Sequence, residues 1–596
     1  MGEKQPIAAV TEDGRLVDLN RKGEKVKKYV VFDDREGKDV YWHSTSHLLA
    51  QAVKRLFPEA KYTIGPPIQE GFYYDFDTPH PFTEEDLKRI EKTMKKIVRD
   101  NLPIEREELP REKAVEYFRE RGESYKVELL EELSEPTVSL YRQGEFVDLC
   151  RGPHLSSTGR INAFKLLSVS GAYWRGDERN PMLQRIYGIS FETKEQLEEY
   201  LHFLEEAKRR DHRKLGRELD LFSLQEEGPG FPFFHPKGMT VINTLLEKWR
   251  KEHRKSGYQE IQTPIMLDRS LWERSGHWDH YRENMYFSQV EEREFAIKPM
   301  NCPGGILVYQ SRLHSYREFP LRLAELGLVH RHELSGVLHG LMRVRCFTQD
   351  DAHIYMEPHQ ITNEIIAVME LADYFYRLFG FDYDIELSTR PENSMGTDEM
   401  WETATTSLSN ALCEVDKSYK LNEGDGAFYG PKIDFHLKDS LGRRWQCGTI
   451  QLDFSMPDKF DLTYVAEDGA RHRPVMIHRT VLGSIERFLG ILIEHYGGAF
   501  PTWLAPVQVQ VLPIADRHLP YAGTVQQLLV EKDMRAELNQ EKATLGAKIR
   551  KAQMEKVPYI LVIGDNEVER NMVAVRERTD GDLGPMELDR FFELVK

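Results

Sequence analysis

A Glu- and Leu-rich helical run, KEQLEEYLHFLEEAKRRDHRKLG over 194–216, most restricts how this chain of 596 residues can fold. It is too charged to be a core element and reads as a helix joining two globular parts, so it sets a boundary near 210. Pro501 and Pro506 bracket a second boundary. At roughly 150 residues per domain the length asks for about four domains. The breaks divide the chain into a short appendage (1–30), a front domain (31–192), a linker helix (193–210), a large middle domain (211–503) and a tail (504–596).

Hydrophobic residues at 40%, charged residues at 30% and a mean hydropathy of −0.56 exclude a disordered acidic chain and a membrane-embedded one. No apolar run approaches the roughly 18 residues of a membrane helix. The opening MGEKQP has no apolar signal segment, which predicts a cytoplasmic protein without membrane association. Five scattered cysteines, an odd number, argue for a reducing compartment and make each one a possible ligand. The net charge of −17 means that any nucleic acid must be held by local basic surface. Two segments offer it, 207–217 and 542–556, although each alone reads as a solvated helix face.

Within 1–30 only EDGRLVDL suggests strand and turn, too little for a core of its own. From 42, the positions Leu48, Leu49, Ala52, Val53, Leu56 and Phe57 keep helical spacing until Pro58. A second amphipathic helix is predicted over 86–102. The middle domain reads as α+β. The tail alternates strand and helix, which predicts an α/β domain with a mainly parallel sheet.

His43 and His47, at i and i+4, share a helix face, and Cys150 and His154 form a second close pair in DLCRGPHL. Spacing allows either a four-ligand metal site or a hydrolytic cluster. In the middle domain three blocks stand out: GYQEIQTPIML; ELGLVHRHE followed by RVRCFTQDDAH, two strands joined by a loop holding Gly336 and Gly340; and HRTVLGSIERFLGIL, a glycine-bearing turn into a helix. Cys302, His353 and His478 are too far apart for a finger-like metal motif, so their spacing alone says little.

In this order and at these distances the three blocks resemble the signature motifs of class II aminoacyl-tRNA synthetases. With KPMNCPGG, RHELSGVLHGLMRVRCFTQDDAHIY, AFYGPKIDF, QCGTIQLDF and VMIHRTVLGSIERF, the chain from about 40 onward resembles the threonyl-tRNA synthetase family. The resemblance implies a multidomain α+β and α/β fold, with an antiparallel-sheet catalytic core, an α+β editing domain in front and an α/β anticodon-binding domain behind. It also implies a homodimer, with the strand before Pro264 at the subunit interface. The reaction it implies is attack of the L-threonine carboxylate on the α-phosphorus of ATP, accompanied by Mg²⁺, and transfer of threonine to tRNA(Thr).

Two anions meet in that reaction, and arginine's fixed fork suits the accumulating charge. By resemblance Arg331 holds the α-phosphate against the carboxylate, Arg343 and Arg487 clamp the γ-phosphate, Glu333 accepts from the adenine amino group and Phe347 stacks on the ring. Cys302, His353 and His478 match the family's ligands for one Zn²⁺ per subunit, and Met300, Gln349, Asp351, Tyr429 and Gln451 surround threonine. A metal is chemically sensible there. Threonine and valine are isosteric, and a cavity separates methylene-sized differences by only about 1 to 3 kcal/mol, whereas an ion ligated by amine and hydroxyl loses a ligand with valine. His277, in SGHWDHY, is assigned by the same likeness to transfer onto the terminal ribose.

Serine carries both groups and is smaller, so a second, hydrolytic site is expected. The HxxxH and CxxxH pairs resemble the editing domain of threonyl- and alanyl-type synthetases, with His43, His47, Lys126, Asp148, Cys150 and His154 in one pocket. Water activation by His43 and Lys126 without obligatory metal is the favoured reading. In the tail, Glu567 and Arg576 are carried over as anticodon-reading residues beside the basic helix around Lys548 and Lys551. Two departures stand out: residues 1–30 are expected to correspond to only the latter half of the family's N-terminal ubiquitin-like domain, and Cys346 occupies a position where glycine is expected.

Overall fold

The computed structural model describes residues 5–21 and 23–595, so the MGEK start, Lys22 and Lys596 lie outside it. The chain forms two compact units, Met1–Leu204 and Glu205–Lys596.

In the first unit, helix α1 (Arg35–Leu56) begins seven residues before the apolar spacing at 42, because its first turn, REGKD, has no apolar side chain to mark it, whereas Val40 and Tyr41 just after it join the core. His43 and His47 therefore sit in its middle. Leu48, Leu49, Ala52 and Val53 are fully buried, the two leucines and the valine each contributing about 1.5 to 3 kcal/mol. The unit adds β1 (Gly71–Asp77), α2 (Glu84–Asp100), the antiparallel hairpin β2 (Thr137–Gln143) and β3 (Phe146–Leu149), and the long strands β4 (Ala163–Tyr173) and β5 (Met182–Phe191). Strands β4, β5 and β1 pair antiparallel. Thr83 and Asp86 cap α2 reciprocally, and Asn101, in the left-handed region, ends it.

The first 30 residues hold more structure than one strand and a turn. Ala8–Thr11 pairs antiparallel with both Leu16–Asp18 and Val26–Val30, and Ile7, Ala8 and Val30 join the core that contains Trp42. Each strand is only three to five residues long, and in Val26–Val30 apolar Val26 and Tyr29 face outward beside Lys27 and Lys28, which hides the pattern in the sequence.

The second unit is built on an eight-stranded sheet. Its parts, in chain order, are β6 (Gln259–Glu260), α3 (Cys302–Gln310), β7 (Leu321–His330), β8 (Cys346–Met356), β9 (Asp382–Ser388), β10 (Lys420–Asn422), β11 (Lys432–Lys438), β12 (Arg444–Asp453), β13 (Val475–Ser484) and α4 (Ile485–Tyr496). The strand order is β6-β7-β8-β13-β12-β11-β9-β10, antiparallel except for the two short edge pairs. The strand expected to run up to Pro264 is only the two residues of β6, since beyond them the chain leaves the sheet edge and Pro264 has no N–H to donate.

Strand β8 shows how one sequence serves two sides. Ala352, Ile354 and Met356 enter the core that also holds Ile365 and Leu489, while Phe347, Gln349, Asp351 and His353 alternate with them on the opposite face. A bulge between Gln349 and Asp351 is filled by the Asp350 carboxylate, which accepts from the backbone N–H groups of Val481, Leu482 and Gly483.

The tail contains β14 (Val509–Pro513), β15 (Ala536–Leu538), α5 (Leu545–Met554), β16 (Tyr559–Ile563), β17 (Val573–Glu577) and β18 (Gly581–Met586). Its sheet, ordered β15-β14-β16-β17-β18, is mixed rather than mainly parallel: β14 pairs parallel with β15 and β16, but β16–β17 and β17–β18 are antiparallel. The links at 564–572 and 578–580 are too short for a parallel crossover.

Candidate active site

A cavity of the second unit, about 440 Å³, lies over the polar face of the large sheet. Its wall includes Met300, Cys302, Arg331, Glu333, Arg343, Phe347, Gln349, Asp351, Tyr429, Gln451, His478 and Arg487. Sheet register explains the convergence. His353 lies opposite His478 and His478 opposite Gln451, one cross-strand row over β8, β13 and β12. Cys302 opens α3, where the helix N-terminus favours a thiolate. Gly305, three residues on, clears space for the imidazole: a Cβ there would stand 3.2 Å from His353 Nδ1.

One donor atom from each of Cys302, His353 and His478 lies within 4.8 Å of the others, and all three residues are buried. His478 Nε2 donates to Asp453 Oδ2 at 2.8 Å, which leaves Nδ1 bare. Both ring nitrogens of His353 are buried without a hydrogen-bond partner, the nearest carboxylate oxygen, Asp351 Oδ1, lying 3.9 Å from Nε2. Orphaned buried imidazole nitrogens are costly unless a ligand takes them. Burial holds the His353 imidazole well below the usual histidine range and pushes the Cys302 thiol up. This donor set fits a cation held by three protein ligands, with the rest of its coordination open to substrate. Asp453 was not anticipated, yet it follows Gln451 by two and shares its face, a period-two signal visible in QLDF. Asp351, pushed up to about 6 by burial, accepts from Asn301 Nδ2 at 3.2 Å, and Tyr429 Oη donates to Gln451 Oε1.

The arginines line the same cavity. Arg331 donates from Nε to Pro299 O at 3.2 Å, and its guanidinium lies 5.1 Å from the Phe347 ring centroid and 5.7 Å from that of Tyr281. Arg487 donates from Nε to Met342 O at 2.8 Å, and burial, with Arg343 and Arg331 nearby, lowers its affinity for its proton. Arg343 pairs with Glu333 at 3.2 Å. Glu486, the neighbour of Arg487, is turned away. Its carboxylate accepts from the Thr348 N–H at 2.9 Å and is pushed up to about 7 by burial. His277 is completely buried and does not belong to the cavity wall; Nδ1 faces Ser275 Oγ at 2.8 Å and Nε2 faces Met300 Sδ at 3.1 Å.

In the first unit, His43, His47, Cys150 and His154 also bring one donor atom each within 4.8 Å of the rest. Ser44 Oγ donates to Val40 O, so it accepts from His154 Nδ1 at 3.1 Å and leaves His154 Nε2 facing Cys150 Sγ at 3.1 Å. His43 Nε2 lies 3.4 Å from the same sulfur. Asp148 holds the other side, with its carboxylate on His47 Nε2 at 3.3 Å, Tyr74 Oη at 2.6 Å and the buried Lys126 ammonium. Asp18 supplies a support the sequence does not suggest, accepting from Tyr141 Oη at 2.7 Å and from the His154 N–H at 2.6 Å. Burial lowers His43 to about 4 and raises Cys150 to about 12, so at neutral pH an imidazole and a thiol meet here.

In the tail, Glu567 lies half-buried on helix Asp565–Arg570, where one oxygen accepts from Gly564 N–H at 2.9 Å, and Arg576 is half-buried on β17. The basic helix α5 is less available than its composition suggests. Lys548 is buried and donates to Pro513 O at 3.2 Å, while Lys551 pairs with Glu541. The other basic segment is partly structural as well, with His212 completely buried.

Residues 285–496 match the tRNA synthetase class II core domain (G, H, P, S and T). Residues 508–596 match an anticodon binding domain, and 138–187 match the threonyl and alanyl tRNA synthetase second additional domain. Threonine–tRNA ligase of Carboxydothermus hydrogenoformans is 65% identical over 584 residues, covering 98% of this chain and 92% of that protein. That of Clostridium botulinum (strain Kyoto) is 60% identical, covering 100% and 94%. A solved structure, the RNA binding domain of threonyl-tRNA synthetase from Cryptosporidium parvum, superposes with a TM-score of 0.63 at 42% identity, covering 65% of this chain and 97% of that one. A catalytic sheet, an editing-type front domain and an anticodon-type tail in one chain, with identity to these ligases across almost its full length, place it in the threonine–tRNA ligase family of class II aminoacyl-tRNA synthetases.

Proposed function

We propose that the chain is a cytoplasmic, homodimeric ligase that activates L-threonine with ATP and Mg²⁺, transfers it to tRNA(Thr) and hydrolyses seryl-tRNA(Thr) formed in error. The observation that carries this reading is the convergence of Arg331, Arg343 and Arg487 with the Cys302, His353 and His478 donor set on one cavity. Arg331 bridges the threonine carboxylate and the α-phosphate; Arg487 and Arg343 take the γ-phosphate, Arg343 exchanging its Glu333 partner for it. Freed of Arg343, Glu333 accepts from the adenine amino group, and the ring stacks on Phe347. Threonine lies among Met300, Gln349, Tyr429 and Gln451, with Asp351 on its hydroxyl. Cys302, His353 and His478 would hold a zinc ion, which when bound supplies a Lewis-acidic position for an amine and an adjacent hydroxyl. Transfer to the ribose draws on His277, whose Nε2 reaches the cavity once the Met300 thioether turns aside. Exposed Ile265 and Met266 beside Pro264 support a second copy of the chain at that edge. Among the described residues no helix is long and apolar enough to cross a membrane.

Pyrophosphate exchange with each of the twenty amino acids tests the reading. Threonine drives turnover; turnover driven by proline or histidine instead overturns it.

In the front unit, His43 and Lys126 activate water, with Asp148 orienting Lys126 and His47. Metal content of the full-length protein separates this from a second metal site. One zinc per chain is expected, falling to none in Cys302→Ser; a full equivalent retained by that variant assigns a metal to the His43, His47, Cys150 and His154 cluster. For the tail, Arg576→Ala is expected to lower charging of tRNA(Thr) at least tenfold while pyrophosphate exchange changes less than twofold, since a side chain that reads a base edge contributes nothing to activation. Equal loss in both assays removes the assignment.

A further inference from the structure

The basic segment RDHRKLG contains a histidine that solvates nothing. His212 is completely buried at the start of the helix His212–Glu218, and both of its ring nitrogens are used. Nδ1 lies 2.6 Å from Glu494 Oε1, and Nε2 receives the Leu341 N–H at 3.0 Å. A backbone N–H only donates, so Nε2 is the bare nitrogen and Nδ1 carries the proton that Glu494 accepts. Glu494 is itself fixed, by the His212 N–H at 3.1 Å and by Arg443, whose Nε is anchored on Asp439 at 2.7 Å. With neither nitrogen free, the Asp211, His212 and Glu494 group is no metal site.

What the imidazole holds is the loop that carries Arg343. Leu341 is followed by Met342, whose carbonyl accepts from Arg487 Nε at 2.8 Å, and then by Arg343. Two glycines are shaped to this contact. Gly340 has φ +49°, and a Cβ on it would stand 2.0 Å from His212 Nε2. Gly490, on the same helix as Arg487 and Glu494, lets the loop close in, since its Cβ would stand 3.2 to 3.3 Å from Met342 and Leu341.

We propose that His212 is a positioning residue for ATP: oriented by Glu494, it fixes the Leu341 amide so that Arg343 and the Met342 support of Arg487 face the phosphate end of the cavity. This rests on the reading of Arg343 and Arg487 as a phosphate clamp. A general packing role would lower stability or slow turnover without regard to which substrate is varied. A positioning role shows selectively in ATP.

The test is pyrophosphate exchange on the full chain, with ATP and threonine titrated separately. His212→Ala is expected to raise the KM for ATP about tenfold and leave the KM for threonine within twofold, with equilibrium dialysis of ATP showing the same weakening. Gly340→Ala disturbs the contact from the loop side with both His212 and Glu494 still present, so it carries the test if His212→Ala fails to fold, and the double variant adds little to either single one. Equal rises in both KM values, or a lower Tm with unchanged ATP affinity, overturn the proposal. Failure of the underlying reading is distinguishable, because the wild type itself would then show no threonine-dependent exchange.

Discussion

Arg331→Ala is expected to lower kcat/KM for threonine-dependent pyrophosphate exchange by about 10²- to 10³-fold, the loss seen when one preorganised donor to a charged transition state is removed. The side chain is set for that task before substrate arrives. Its Nε is committed to Pro299 O and its plane is held near Phe347 and Tyr281, so the terminal nitrogens are presented to the cavity without a partner to displace. Both reactants are anions at the reacting centre, and a fork spanning carboxylate and phosphate offsets their repulsion while fixing the angle of attack. Arg331→Lys keeps the charge and loses the fork, and it should recover only part of the rate. Arg343 makes an informative contrast. Its side chain is 53% exposed and already paired with Glu333, so replacing it costs screened charge and a partner exchange and should lower the rate less. Folding is not at stake in either case, and Tm should stay within a few degrees. A loss below tenfold for Arg331→Ala, with Tm unchanged, removes that arginine from the reacting centre.

How much of this was legible in the text differs by layer. The cavity residues were readable because class II motifs are written on strands, and period two keeps Phe347, Gln349, Asp351 and His353 on one face wherever the strand starts. What supports them was not. Asp350 falls on the apolar face by the same alternation, where a carboxylate has no evident purpose, and only the irregular pairing beside it supplies the backbone N–H groups that it anchors. His212 lies in a run of charges that composition alone marks as solvated, and only its burial against Glu494 removes it from the surface. Lys548 fails as an RNA-facing charge for the same reason. The first 30 residues were underestimated because their strands are three to five residues long, below the length at which alternation stands out. Strand and helix alternate in the tail, which points to a mainly parallel sheet; its short links decide otherwise. Tertiary context, rather than local pattern, supplied each of these answers.

Stripping metal from the protein is expected to abolish efficient threonine activation and, with it, the distinction from valine. With the site filled, rejection of valine belongs to the regime in which a polar site loses a required partner, about 10⁴- to 10⁵-fold; with the site empty, only shape remains, and isosteres are then separated by no more than about 200-fold. The geometry explains why nothing in the protein can replace the ion. His353 has no hydrogen-bond partner for either nitrogen, with Asp351 Oδ1 standing off at 3.9 Å from Nε2, and the free lone pair of His478 is set by Asp453, so both imidazoles are set to take an external ligand. Cys302→Ser should reproduce the effect of dialysis against chelator, and zinc should restore the dialysed wild type but not the variant. Asp453→Asn provides the graded member of the series. It keeps the volume and loses the carboxylate that fixes the His478 tautomer, and a change at that distance from a metal costs about 10- to 100-fold in metal affinity. Its exchange activity should therefore be low at limiting zinc and recover when zinc is raised, whereas Cys302→Ser stays low. Protein free of metal, by direct elemental measurement, that still prefers threonine to valine by more than a thousandfold would dissociate recognition from Cys302, His353 and His478 and leave Asp351 and Gln349 to account for it.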